Sequence, residues 1–426
     1  MAHTDARSQR LDQGAIFWSI TLPLSLGFLP YPYSMFAGII GFFLLCLWQT
    51  YFYPRQLFKL LYRNGFLAIA LLMVVGARLA NFPGEAYLQL THFLPFFWFW
   101  GVLVLYLRQT ANPWPQIYHW ALAVVTATVP LNIIGIVEYA LKRIPLVESS
   151  TYLPWIDWLY LGDVNNPRTF SLFDDPNTLA SFLVMVLGLN IGLVFLRPKD
   201  SETLGRLPTA YRYALAVNIL LTLVCLFCSG SRNGYLSASL VLLVSFFVMR
   251  TSRWVRSLGL LGIALIVVST LKFGIGGRTL SWAWVTDDPR VWVWKLALQM
   301  IRDRPLWGQG LGNYKLLYNG EVPGYDYIAH AHNFWLMLAS EAGLPVIILF
   351  TITVSFICYR GCRALFKLQK QPNAYALLMG YYLCFLGITL FSLFDITLFE
   401  ARVNLLAWLS LGVIYSGPEL SRLLRS

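Results

Sequence analysis

Charge is scarce in this chain. Asp, Glu, Lys and Arg make up 12% of its 426 residues, against about 25% in soluble domains, and the mean hydropathy is +0.60. A soluble globular fold is thereby excluded. Acid is scarcer than base, 20 residues against 32, which leaves a formal net charge of +12. Cysteine is also sparse: Cys46, Cys225, Cys228, Cys358, Cys362 and Cys384 all fall within or beside apolar runs, so no disulfide framework is expected. The pair Cys225 and Cys228 sits in an apolar helix with no second pair, and packing is the expected role rather than zinc or redox chemistry. Internal repeats, low-complexity tracts and RNA- or DNA-binding motifs are missing. The basic residues are dispersed over many connections, so the net charge points to an anionic membrane face and not to nucleic acid.

What is plentiful is apolar and aromatic. The chain is 58% hydrophobic, with 31 Gly, 21 Pro, 16 Trp and 23 Tyr. Gly and Pro are tolerated within membrane spans, and Trp and Tyr gather at membrane interfaces. The expected fold is an all-α polytopic membrane protein, a single integral membrane domain over 1–426. Windows of about 20 apolar residues predict about twelve transmembrane helices, at 15–31, 34–52, 65–82, 92–107, 116–140, 177–196, 213–229, 234–249, 258–273, 334–358, 375–395 and 401–416. No small-residue cleavage site follows the first, which is read as an uncleaved span. Most of the 32 Lys and Arg residues lie in short connections on one side, among them Arg55, Lys59, Arg63, Arg250, Arg253, Arg360 and Arg363. By the positive-inside rule this predicts that both termini are cytoplasmic.

Two outside loops follow, at 141–176 and at 274–333, between the ninth and tenth spans. The second is too long for a simple connector. Within it, "RVWVWKLALQMI" from Arg290 to Ile301 predicts a helix lying along the membrane surface, stopped by Pro305. "GQGLGN" supplies a flexible turn at Gly308, Gly310 and Gly312; it follows a helix, not a strand, so a dinucleotide-binding reading is poor.

Candidate functional residues collect on this outer side. "SGSRNG" holds Arg232 against the membrane, where an ionisable group is functional by default or else a boundary anchor. Arg290 opens the surface helix and Arg278 precedes it; either is a functional cation or a snorkelling one. "FDDPN" makes Asp175 an N-cap and Pro176 the first residue of the sixth span. "AHAHNFWL" spends two of the five histidines, His330 and His332, one residue apart. On an extended segment they share a face and half-fill a zinc site. A third ligand is not visible beyond Asp326, so no metal is expected, and the other readings are an interfacial histidine or a general base for a hydroxyl nucleophile. Arginines beside such a base suit a diphosphate leaving group, which departs as an anion and needs no general acid.

In order and spacing, "SLFDDPNTLA", "SGSRNGYLSA", "RVWVWKLALQMIRDRPLWGQGLGN" and "HAHNFWLMLASEAGLP" resemble the successive motifs of the O-antigen ligase and polymerase superfamily, over roughly residues 170–345. The long penultimate loop is most similar to the ligase branch. The resemblance implies a metal-independent, inverting transfer of O-antigen polysaccharide from undecaprenyl diphosphate to lipid A-core, without a cofactor, at the periplasmic face of a Gram-negative inner membrane. Its partners would be the lipid-linked donor, the lipid A-core acceptor and membrane lipids. Carried over by motif, His332 would be the catalytic base and Arg232 and Arg290 would bind the diphosphate, with Arg278, His330, Asn333 and Asn177 as substrate contacts.

Three rivals are distinguishable. An O-antigen polymerase carries arginines followed eleven residues later by glycine in both large loops, and none of Arg143, Arg168, Arg278, Arg290, Arg302 or Arg304 has that glycine. An O-linked protein oligosaccharyltransferase usually carries a C-terminal extracytoplasmic region, whereas here the sequence stops shortly after the expected last span. A lipid-linked glycan flippase needs charge along a central pathway, and the charges here lie at the membrane faces.

Overall fold

A computed structural model describes residues 2–143, 166–197, 209–249, 289–320 and 326–424, with 257, 264 and 268 singly. All of the expected ninth span at 258–273 but 264 and 268, together with Arg278 and residues 144–165, 274–288 and 321–325 of the two outside loops, falls outside these residues. Among the described residues the chain is helical throughout and has no strand. The helices are α1 (Ala2–Phe28), α2 (Met35–Phe52), α3 (Pro54–Arg63), α4 (Phe66–Arg78), α5 (Pro83–Gln89), α6 (Leu94–Gln109), α7 (Trp114–Leu141), α8 (Pro176–Val194), α9 (Thr209–Ser229), α10 (Arg232–Val248), α11 (Pro289–Asp303), α12 (Tyr314–Leu317), α13 (Phe334–Ala342), α14 (Leu344–Leu368), α15 (Pro372–Phe391) and α16 (Ala401–Leu423).

Seven of the described helical segments are long and apolar enough to cross a membrane, rising to eight if the bent pair α3–α4 counts as one. The expectation of twelve is therefore met in part. Helices form at the first, eighth and twelfth expected spans, but α1 offers an apolar stretch only over Ile16–Phe28, α10 has 17 residues, and α16 is not among the seven. The expected span 334–358 is two helices, broken at Gly343, whose φ of +89° suits glycine, and restarted with Pro345 in the first turn. The chain also breaks by 79° between α3 and α4, at Gly65 with φ +80°.

The centre of the bundle is the pair α8 and α15. Along α8 nearly every side chain from Leu179 to Leu193 is buried. Gly188 and Gly192, four apart, let α15 approach to backbone contact: a Cβ on Gly188 would stand 2.3 Å from the amide nitrogen of Cys384, and one on Gly192 2.6 Å from Cα of Gly380. Small residues at this spacing are how membrane helices gain close van der Waals packing where lipid offers no hydrophobic drive. α16 packs against α6, α14 and α15. All six cysteines are free thiols, and Cys225 and Cys228 are packed inside. The starts of α8, α10, α13, α14 and α16 meet the ends of α4, α7, α9 and α15 at one end of the bundle, together with the described parts of the two long connections.

Candidate active site

The site is built around the short turn that leaves α15, Phe391 to Asp395. Motifs far apart in sequence dock on it in turn. The Asn233 side chain, one residue after Arg232, donates to the Phe391 carbonyl at 2.7 Å. The Phe334 amide donates to the Ser392 carbonyl at 3.0 Å, and Asn333 Nδ2 donates to the Leu393 carbonyl at 2.9 Å. The Trp294 ring meets the Phe394 ring at 6.4 Å. Arg290 lies four residues before Trp294 on α11, a spacing that shares a helix face.

The turn ends in Asp395, which is 5% exposed. Its Oδ1 lies 3.4 Å from Nδ1 of His332 and 3.6 Å from Nε2 of His330, and accepts from the Ile396 amide at 2.9 Å. The two imidazoles are 4.2 Å apart between centroids and tilted by 60°. Burial pushes the Asp395 carboxyl up, but the two histidines outweigh it and hold the group well below the usual carboxylate range.

Local sequence explains how the histidines reach the carboxylate. The segment before α13 is irregular rather than a strand, and His332 takes φ +48°, a region unusual for a residue with a side chain. Ala331, between the histidines, is buried in a small core with Val293, Ala297 and Met300 of α11 and Met337 of α13. Asn333 is the N-cap, accepting from the Leu336 amide at 2.9 Å. It thus holds both the helix start and the turn. The "GQGLGN" turn braces the far end of α13: Gly308, Gly310 and Gly312 all have positive φ, and Gln309 and Gly310 donate their amides to the carbonyls of Ser340 and Glu341.

Arg232 is the first residue of α10, and the Ser231 hydroxyl caps that helix by accepting from the Gly234 amide. Asp175 caps α8 as its sequence predicts, accepting from the amides of Asn177 and Thr178. Asn177 accepts from the Arg168 guanidinium at 2.7 Å, and Arg168 donates in turn to the Ser229 carbonyl at 2.7 Å, three residues before Arg232. Below this lies a buried ion pair, Lys142 Nζ to Glu138 at 2.7 Å, whose carboxylate also takes the Phe170 and Ser171 amides. Arg402 joins the same segment to α16 by donating to the Leu172 carbonyl at 2.8 Å and stacking on Phe173 at 3.7 Å.

His330, His332 and Asp395 also form a donor set, their ligand atoms all lying within 4.8 Å of one another. The third donor that sequence reading lacked is thus Asp395 and not Asp326. Its signal was a lone acid in "SLFDITLF", an apolar stretch between two spans.

A bundle of membrane-crossing helices with a histidine–carboxylate centre at one end defines a multi-pass membrane protein with a built polar site. Residues 217–351 match the O-antigen ligase family, and the match supports assigning the chain to that family. It covers α9 through the start of α14 and includes Arg232, Arg290, His330, His332 and Asn333. Such a family supports glycan transfer of the ligase or polymerase type in a bacterial membrane. None of the curated proteins compared with the chain matches it.

Proposed function

We propose that this protein joins O-antigen polysaccharide, carried on undecaprenyl diphosphate, to a hydroxyl of lipid A-core at the periplasmic face of the inner membrane. The observation that carries the reading is the docking of the Arg232, Arg290 and His332 segments on the turn that ends in Asp395. Asp395 engages Nδ1 of His332 and leaves Nε2 to take the proton of the acceptor hydroxyl. The freed oxygen forms a bond to the anomeric carbon. The bond from that carbon to the diphosphate oxygen breaks from the opposite face, and its electron pair leaves with the diphosphate. Arg232 and Arg290 neutralise the charge that develops there. The proton passes from the imidazole to solvent, and the sugar is inverted. Asn333 and Asn177 act through what they hold: Asn333 fixes the histidine segment on the turn, and Asn177 fixes Arg168 beside Ser229.

Deletion of the gene tests the reading. Long glycan should accumulate on the lipid carrier while the core stays bare; single repeat units on core would point to a polymerase instead. Cysteine labelling should place Gly320 in the periplasm and Gln369 in the cytoplasm, and cytoplasmic labelling of position 320 would overturn the orientation.

A second reading is favoured by one observation. His330, His332 and Asp395 are two imidazoles and a carboxylate within 4.8 Å, a donor set suited to zinc. Transfer that persists in excess EDTA belongs to a free imidazole base. Transfer lost in EDTA and restored by zinc belongs to a metal centre.

A further inference from the structure

A cleft of some 350 Å³ runs between α14, α15 and α16, and the mechanism above does not use it. Its walls are apolar, with Phe350 and Val354 of α14, Leu386 of α15 and Trp408 of α16. It runs along α14 from Phe350 to Cys358, eight residues or about 12 Å of helix rise. Thr351 and Ser355 line it and are exposed, so it opens sideways from the bundle.

The other end of the cleft is polar, and it reaches the turn that carries Asp395. Ser392 lines the cleft and is fully buried. Its amide donates to the Ile388 carbonyl and its carbonyl accepts from Phe334, while its hydroxyl has no hydrogen-bond partner among the described residues. His92 lines the same end, its imidazole packed edge-on against the Phe399 ring at 5.3 Å. A long apolar wall ending in an unspent hydroxyl beside an imidazole fits an amphipathic chain lying with its tail inward and its head at the turn.

We infer that this cleft holds the polyprenyl chain of the donor, with the oxygens at its head reaching Ser392 and His92. The inference rests on the transfer reading above. Chemistry selects the donor over the acceptor. The diphosphate that leaves is joined directly to the first isoprene unit, so the chain must enter the protein beside the reacting bond. The acceptor hydroxyl stands on a sugar, away from the acyl chains, and those chains are several where the cleft takes one. Ser392, three residues before Asp395, puts the mouth of the cleft where the leaving group has to be.

Cys358 at the deep end provides the test. A full-length Cys362→Ser protein in nanodiscs, which keeps the four buried cysteines and Cys358, is treated with a bilayer-soluble maleimide. Undecaprenyl diphosphate bearing no glycan should slow alkylation of Cys358 severalfold, and lipid A should not. Val354→Trp, which fills the cleft from its wall, should weaken binding of undecaprenyl diphosphate by about tenfold or more through lost apolar burial. Ser355→Ala serves as a control that leaves space in the cleft, and it should bind as the parent does. Protection by lipid A alone, no protection at all, or parental affinity in a well-folded Val354→Trp protein overturns the assignment. Because no glycan is transferred in this assay, protection without core ligation in cells would sink the transfer reading and leave the cleft standing. Ligation without protection would do the reverse.

Discussion

Nδ1 of His332 and Oδ1 of Asp395 lie 3.4 Å apart although 63 residues separate them in sequence. The distance is long for a hydrogen bond in the resting protein, and such contacts tighten when substrate is bound. The pair predicts that Asp395→Asn and His332→Asn each lower turnover by about 10²- to 10⁴-fold while donor binding stays close to the parent's. Asparagine is the chosen replacement at 332 because it tolerates positive φ, so the helix start should persist. Single-turnover rates beside equilibrium donor binding separate the two effects. A well-expressed His332→Asn protein that still ligates at the parental rate defeats the base assignment.

The arginines should behave differently. Arg232→Lys and Arg290→Lys keep the charge but lose the planar fork that matches phosphate oxygens. Both should weaken donor binding together with turnover, read as a rise in Kd for the diphosphate carrier. A fall in turnover at unchanged Kd would move these residues away from the diphosphate.

Glu341 links acidity to stability. Burial pushes its carboxyl up to about 7, against the amides of Gly312 and Tyr314, which favour the ionised form. The folded protein therefore keeps a proton that the unfolded chain gives up from about 4.5 upward, so this contribution is lost as pH rises through the window and is gone above about 7. Glu341→Gln keeps an acceptor for the Tyr314 amide and removes the titration. Thermal unfolding in detergent should show a parental Tm that declines as the pH rises from about 4.5 to about 7 and a variant whose decline is shallower. Parallel curves would rule this account out.

The pair Glu138 and Lys142 is 2% and 1% exposed at its side chains. Lys142→Met strands a buried carboxylate and should cost about 3–5 kcal/mol, with Glu138→Gln in the same chain recovering part of it. Denaturation of the two proteins side by side measures this. Equal stability of Lys142→Met and the parent would mean that the Phe170 and Ser171 amides suffice for the carboxylate.

Residue spacing made the helices and the capping of α8 readable, because amide satisfaction at a helix start is local chemistry that a few adjacent residues decide. His330 and His332 were readable as a pair, and the structure turns both toward one carboxylate. Asp395 was not, since its partners are distant in sequence and its own surroundings read as the end of a span at 375–395. The break at Gly343 was hidden for a related reason: apolar residues continue on both sides, and hydropathy registers no change where the backbone turns. α3 escaped the opposite way. Arg55, Lys59 and Arg63 recur every four residues and suppress hydropathy, while Leu57, Leu60 and Leu61 bury the other face.

The turn that carries Asp395 also sets a timetable. The ribosome makes the arginine and histidine motifs before α15, and a chain folds from the parts already released. Until α15 is threaded against Gly188 and Gly192 of α8, no carboxylate stands ready for the histidines and no carbonyls stand ready for Asn233 and Asn333. A half-inserted chain thus lacks the proposed centre, which comes together only once the bundle around it exists.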